Sequence, residues 1–239
     1  MRDESHLPIK NNLLAALPPD EYQRLSPHLE YVKLDRGQVI YKVDEPSSHL
    51  YFPTSAMISM VSSMSDGATV EVGVIGREGI SGLHLLLGSD DSNNDCMAQL
   101  PGEALKINAE TLRAEFKRGG KLQGVILRYI HGLMIQISQS AACNRLHSVE
   151  ERLARWLLMT HDRATGDELS LTHEFLAMML GTRRAGVTGA AIALQGEGFI
   201  RYSRGHITML DRTGLEDFSC ECYRTFKAEF DKLHIGQPG

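Results

Sequence analysis

Cysteine is scarce: four in 239 residues (Cys96, Cys143, Cys220 and Cys222), with no C-x-x-C pair among them. A disulfide framework is therefore not expected, and the thiols read as reduced. Long apolar runs are missing too. One long uncharged stretch, between Arg128 and Arg145, carries Gln136, Gln139 and Asn144 and is too polar to span a membrane. Met1 to Pro8 holds two acids and no apolar run, so no secretory signal is expected and a cytoplasmic location follows. Catalytic signatures are also lacking: no G-x-S-x-G, no P-loop and no G-x-G-x-x-G occur, so no enzymatic activity is expected. His173-Glu174-Phe175-Leu176-Ala177 begins like a zinc-protease motif but has Ala177 where the second ligand must stand. The ten histidines read as scattered, and no metal site is expected. Nor is there an excess of positive charge. Lys+Arg number 25 against 30 Asp+Glu, a formal charge of −5, which offers no electrostatic footprint for nucleic acid over the chain as a whole.

The residues present, 42% of them hydrophobic, suffice for one large core or two modest ones. Their patterning changes along the chain. Leu13, Leu14, Leu17, Tyr22, Leu25 and Leu29, broken by Pro18-Pro19, predict one or two short helices. From about 30 to 108, short alternating runs (39–41, 50–52, 57–61, 70–74, 97–100, 104–107) are separated by turn residues. They predict an antiparallel sandwich or roll without intervening helices, with Asp66-Gly67 as its clearest hairpin.

After residue 109 the period becomes helical. Gln123, Ile126, Ile130, Leu133, Ile137 and Ser140 form a mostly apolar seam, with Leu127, Met134 and Ala141 as a second stripe beside it. The first seam is expected to carry a homodimer interface, a buried helix of one core being the other reading. Ser148 and Glu151 form a capping-box pattern opening a new helix, which places the expected hinge at Asn144 to His147.

The most specific pattern lies between Leu171 and Ile200. Thr172 is suited to cap a short helix ending at Leu180, Gly181 to make a left-handed turn, and Thr182 to cap a second helix reaching about Gly196. Ala177, Gly181 and Val187 supply a small crossing residue, a turn and a β-branched packing residue, the steric grammar of a helix-turn-helix. Gly198 to Leu210 then reads as a strand–turn–strand wing. Between Thr182 and His206 stand four arginines and one glutamate, a local +3.

A β-rich first half, a long apolar-seamed helix and a helix-turn-helix with wing resemble the Crp/Fnr family of bacterial transcription regulators. The resemblance runs from about Leu13 to Leu210 and is sharpest over Leu169 to Ile200. It implies an α+β fold. Residues 1–146 would be a cyclic-nucleotide-binding-like β-roll with its dimerisation helix at about 110–146, and 147–239 a winged helix-turn-helix domain with a C-terminal helical extension. It also implies a homodimer on a palindromic operator in double-stranded DNA, effector or redox input through the roll, and contact with RNA polymerase. Arg184 matches the family's base-reading arginine; Arg183 and Thr188 are expected to join it. Thr172, His173, Arg201, Arg204 and His206 are expected on phosphates, and Ile126, Ile130, Leu133, Ile137 and Ser140 at the dimer interface.

The departures concern the effector. Nucleotide-binding relatives use a Gly-Glu-Leu and, about ten residues later, an arginine. Here Gly82-Leu83-His84 and Asn93-Asn94-Asp95 stand in those places. Leu83 cannot accept from a ribose hydroxyl, and an acid beside Asn93 repels a phosphodiester. Cyclic AMP or GMP is therefore not expected, and the effector would be some other small molecule. The Fnr branch's N-terminal cysteine cluster is absent, so no iron–sulfur cluster is expected either. Cys220 and Cys222, two apart in an expected helix, would point roughly 200° apart and could not pair. The thiols are expected to be buried and inert, with redox sensing through Cys96 or Cys143 as the alternative. The competing function is a small-ligand-sensing β-roll module whose C-terminal domain mediates protein contacts.

Overall fold

In the first half, antiparallel strands form two sheets. β1 (Glu30–Leu34), β7 (Gly102–Asn108) and β3 (His49–Pro53) make a three-stranded sheet in the order β1-β7-β3. β2 (Val39–Tyr41), β6 (Asp95–Leu100), β4 (Met57–Ser63) and β5 (Thr69–Ile75) make a four-stranded one in the order β2-β6-β4-β5. The computed structural model describes residues 9–234; Met1 to Pro8, read above for its lack of a secretory signal, lies outside them. Among the described residues, no helix is long and apolar enough to cross a membrane. The alternation of Leu50 and Phe52, and of Ile58 with its neighbours across the sheet, turns one face of each sheet onto a shared core with Leu34, Ile75, Ile80 and Ile107. β4 and β5 close at the expected Asp66-Gly67 turn, where Asp66 Oδ1 accepts from the Ala68 amide at 2.9 Å.

Preceding the roll are the short helices α1 (Asn12–Ala15) and α2 (Pro19–Leu25). One helix interrupts the strands, against expectation: α3 (Leu83–Leu87), a single turn and a half that buries Leu85 and Leu86. Its span is too short for a 3.6-residue period to register in the sequence.

The helical stretch from 109 is two helices, α4 (Ala109–Lys117) and α5 (Gly120–Leu146). Gly119 and Gly120 both have positive φ (85° and 81°), a backbone that side chains disfavour, and this breaks the run. Glu21 on α2 then caps α5, its two carboxylate oxygens accepting from the Lys121 and Leu122 amides at 2.9 and 2.8 Å. α5 runs to Leu146, so the expected four-residue hinge shrinks to His147 and Ser148. Ser148 opens α6 (Val149–His161) with the predicted capping box: its Oγ accepts from the Glu151 amide at 3.2 Å, and Glu151 Oε2 accepts from the Ser148 amide at 2.8 Å.

Beyond α6 come β8 (Glu168–Ser170), α7 (His173–Leu180), α8 (Arg184–Gly196), β9 (Ile200–Ser203), β10 (His206–Met209), α9 (Arg212–Phe218) and α10 (Cys222–His234). β8, too short to read in the sequence, joins the wing in a sheet of order β8-β10-β9. α10 packs back along α5, with Phe230 reaching Gly132 and lying 6.5 Å from the Tyr129 ring. Phe230 sits in the roll's core, whereas Tyr223 and Phe226, on the same helix, sit in the core of the second half.

The two apolar stripes of α5 are placed the other way round from the expectation. Ile126, Leu133 and Ser140 are buried within their own chain, and Ile130 and Ile137 are half-buried against the same core. The second stripe, Leu127 (50% exposed), Met134 (61%) and Ala141, is the exposed one. Both stripes have the same helical period one residue apart. The sequence thus shows two seams without telling which one faces the roll.

Candidate nucleic-acid interface

Thr172 caps α7 with its Oγ1, which accepts from the Phe175 amide at 3.2 Å. Gly181 ends α7 in the left-handed region (φ 56°, ψ 44°), as its place in the sequence predicted. A Cβ added there would also stand 2.9 Å from Val70 on β5. α8 then starts one residue later than expected, with Arg183 rather than Thr182 as the residue before its first turn. Its buried stripe of Val187, Ala190, Ala191 and Leu194 packs with Leu176, Ala177 and Leu180 of α7. The opposite side presents Arg183, Arg184, Ala185 and Gly189, all exposed. Arg201 and Arg204 are exposed on the wing, with Arg204 and Gly205 at positive φ in its turn.

Not every expected contact residue is free. The His173 ring, half-buried, stacks on Tyr202 of the wing at 4.3 Å between centroids and 15° between planes. Thr188 Oγ1 spends its one proton on the Arg184 carbonyl at 3.0 Å and so accepts from His173 Nδ1 at 2.9 Å. His173 Nε2 is buried without a hydrogen-bond partner among the described residues. Burial, and then the charge of Arg184, pull the His173 pKa below its usual value, which keeps the ring neutral. A neutral, wedged ring is a poor phosphate ligand. His173 and Thr188 tie α7, α8 and the wing together, in place of the phosphate and base contacts expected of them. His206 pairs with Glu168 at 3.0 Å on the wing edge that faces the roll, where Arg36 donates to the Ser170 carbonyl. Arg184 rests 3.0 Å from Glu174 Oε1, both side chains well exposed.

The helix-turn-helix is docked against the roll. Arg183, Ala185 and Gly186 line a shallow groove whose other wall is Gly67, Ala68 and Thr69 of the β4–β5 hairpin. Deeper, Trp156 Nε1 donates to Glu71 Oε1 at 2.8 Å, and Arg163 and Glu78, both nearly fully buried, make an ion pair at 2.6 Å. Burial alone would push the Glu78 carboxyl up, but Arg163 beside it holds it below the usual carboxylate range.

On the far side of the roll, a cavity of about 460 Å³ brings together Gly82, Leu83, Asn93 and Asn94 with Tyr41, Ile75 and Ile80. Ile130, Leu133 and Ile137 of α5 close it. Among the described residues, no lysine or arginine lines it. Its one titratable base, His84, is pulled below its usual pKa by burial and hydrogen-bonds Ser47 Oγ at 2.9 Å. The Cys96 thiol, fully buried near this cavity's Tyr41, is pushed up to about 12 by burial, the opposite of a reactive thiolate.

Sheet-roll, long helix and winged helix-turn-helix, in that order, define a two-domain DNA-binding regulator with a ligand-domain scaffold. Residues 31–118 match the cyclic nucleotide-binding domain family and residues 151–218 the Crp-like helix-turn-helix domain, well over half of the chain between them. With both domains in this arrangement, the chain belongs to the Crp/Fnr family of transcription regulators. It resembles a Crp/Fnr-family regulator from Eubacterium rectale at 21% identity and TM-score 0.69, over 86% of this chain and 96% of that one. FixK2 from Bradyrhizobium japonicum gives 16% identity and TM-score 0.69, over 80% and 98%. The c-di-GMP-responsive regulator CLP of Xanthomonas campestris gives 17% and 0.65, over 81% and 99%. At these identities the likeness is one of fold. No curated protein matches the chain in sequence.

Proposed function

We propose that this regulator acts as a homodimer on a palindromic operator, with α8 entering the major groove and the wing on the flanking backbone. The observation that carries this reading is the exposed Arg183-Arg184 pair at the N-terminal end of α8, behind a helix-turn-helix held by Thr172 and Gly181. That end of a recognition helix meets base edges, and an arginine there suits bidentate contact to guanine. Thr172, Arg201 and Arg204 would take phosphates. The exposed stripe of Leu127, Met134 and Ala141 is suited to the dimer seam, and two-fold pairing of α5 would put two recognition helices about one DNA turn, roughly 34 Å, apart.

The effector reading rests on the cavity. Its uncharged walls do not suit the phosphodiester of cyclic AMP or GMP, whereas an uncharged, largely apolar small molecule fits its chemistry. Because α5 forms one wall, an occupant would bias the docking of the winged domain on the roll, a shift between two arrangements. RNA polymerase would be the partner once the operator is bound.

Gel shift against a genomic fragment pool tests the core of this proposal. Wild type should retain specific fragments that Arg183→Ala/Arg184→Ala releases, a loss of at least tenfold in affinity, since one good arginine–guanine contact contributes about 1–3 kcal/mol. Equal retention by the double variant at moderate salt would sink it.

A further inference from the structure

At the junction of α5 and α6 three of the four cysteines and a histidine converge. Cys143 and His147 are four apart at the C-terminal end of α5. Cys220 lies in the turn before α10, and Cys222 is that helix's first residue. The expected 200° separation of Cys220 and Cys222 presumed one continuous helix and does not hold, because only Cys222 is helical. Both side chains reach the same point. One ligand atom from each of the four residues lies within 4.8 Å of all the others. The Sγ atoms of Cys143 and Cys220 are 3.6 Å apart, far beyond a disulfide bond of about 2.05 Å, and Cys222 Sγ is 3.6 Å from His147 Nδ1.

We infer that Cys143, His147, Cys220 and Cys222 form a tetrahedral Cys3His site for a single zinc(II) ion, pinning the C-terminal extension to the end of the dimerisation helix. Zinc bonds of about 2.3 Å to sulfur and 2.0–2.1 Å to nitrogen set tetrahedral edges of about 3.8 Å between sulfurs and about 3.6 Å between sulfur and nitrogen. The two separations above match these edges. A ligand set this compact encloses one ion, whereas an iron–sulfur cluster needs room for several irons between its thiolates.

The surroundings are those of a metal centre. His147 Nδ1 faces the cluster, while its Nε2 stands 3.2 Å from Glu221 Oε2, the carboxylate–histidine pairing that orients a zinc-bound imidazole. Gln139 Nε2 donates to Cys222 Sγ at 3.2 Å. The three sulfurs are almost entirely buried. Zinc with three thiolates carries a net −1, and two buried guanidinia, Arg152 and Arg155, lie near enough to Cys143 to interact with its charge. Neither has a carboxylate within ion-pair distance among the described residues, and the Nε of each is buried without a hydrogen bond. Buried cations call for an anion, and a zinc–thiolate centre supplies it.

All four ligands lie outside the two matched family segments, 31–118 and 151–218. The place of the site gives it a consequence. His147 is the whole linker between α5 and the capping Ser148, so the ion would fix the hinge on which the winged domain turns.

The test is metal binding by the full-length reduced protein, independent of DNA. Zinc(II) should bind one per chain, and cobalt(II) in its place should give thiolate charge-transfer and tetrahedral d–d absorption. Zinc should slow the reaction of Cys143, Cys220 and Cys222 with a maleimide under native conditions, the fully buried Cys96 being unreactive with or without it. Cys96→Ser should keep stoichiometry and spectrum, Cys143→Ser and Cys222→Ser should lose both while retaining wild-type far-ultraviolet dichroism, and Glu221→Gln should weaken zinc about tenfold. If one of the two cysteine variants fails to fold, the other with His147→Ala decides. The proposal falls if wild type binds neither zinc nor cobalt stoichiometrically, if Cys143→Ser and Cys96→Ser bind alike, or if the bound metal is a multi-iron cluster.

Discussion

Arg184 is the side chain on which the proposed base reading most depends, and it stands 3.0 Å from Glu174. Both groups are exposed, so the pair contributes only about 0.2–1 kcal/mol. Binding DNA must still break it and leave a carboxylate near the phosphates. Glu174→Gln should therefore tighten operator binding about 1.4- to fivefold at low salt, the fold-change equivalent of that energy, and steepen its salt dependence slightly, since salt screens the interactions that Glu174 makes. Fluorescence anisotropy over a salt series would show it; unchanged or weaker binding would mean that Glu174 plays no part in holding Arg184 back. The residues whose roles the sequence disclosed act locally. Thr172, Gly181, Ser148 and Glu151 need only neighbours within four positions, and each sits in the cap or turn expected of it. His173 and Thr188 were misread because Tyr202, which stacks on His173, is far along the chain, and no spacing rule places a ring from the wing over a helix. Cys143 and His147 did carry a local signal, a cysteine and a histidine four apart where α5 ends, but the two cysteines that join them come from beyond α9.

At the scale of elements, the strands were legible because turn residues bracket every short apolar run, and α6 to α8 because their caps are strong. α3 and β8 were hidden by brevity. α5 posed a different problem: two apolar stripes of equal period, of which only tertiary packing decides the inner one. Since Leu127 and Met134 are the exposed members of the outer stripe, Leu127→Asp/Met134→Asp should shift the proposed dimer toward monomer by about 100-fold in Kd, roughly 3 kcal/mol, without loss of helicity. Ile126→Asp, which puts a charge into the roll's core, should instead unfold the chain. Sedimentation velocity separates the outcomes. A double variant that sediments as wild type would place the seam elsewhere on the molecule.

Across the whole molecule, the link between the two halves is the feature no periodicity reveals, since it is made of polar side chains buried from both sides. Glu71 on β5 takes the Trp156 indole N–H from α6, and Gln99 on β6 donates to Thr160 Oγ1 on the same helix at 3.2 Å. Between them stands Ser59 on β4, whose oxygen is 2.6 Å from Glu71 Oε2 and 2.5 Å from Gln99 Oε1. Ser59 has one proton for two acceptors. Both contacts are satisfied when Glu71 is protonated, its O–H donating to Ser59 while Ser59 donates to Gln99. The electrostatics agree: burial pushes the Glu71 carboxyl from 4.5 up to about 7, against the opposing pull of Ser59, Arg155, Trp156 and Arg163. A carboxyl whose folded pKa lies above its unfolded value binds its proton more tightly when folded. Its contribution to stability is therefore complete below about pH 4.5 and is lost as pH rises through about 7, a span worth up to about 3 kcal/mol. Glu71→Gln keeps an acceptor for Trp156 and a donor for Ser59 but has nothing to ionise. In urea unfolding at steps from pH 5 to 8.5, wild type should lose stability relative to Glu71→Gln as pH passes 7. A difference between the two proteins that stays constant over that range would show that Glu71 does not titrate there and that the junction of roll and winged domain is indifferent to pH.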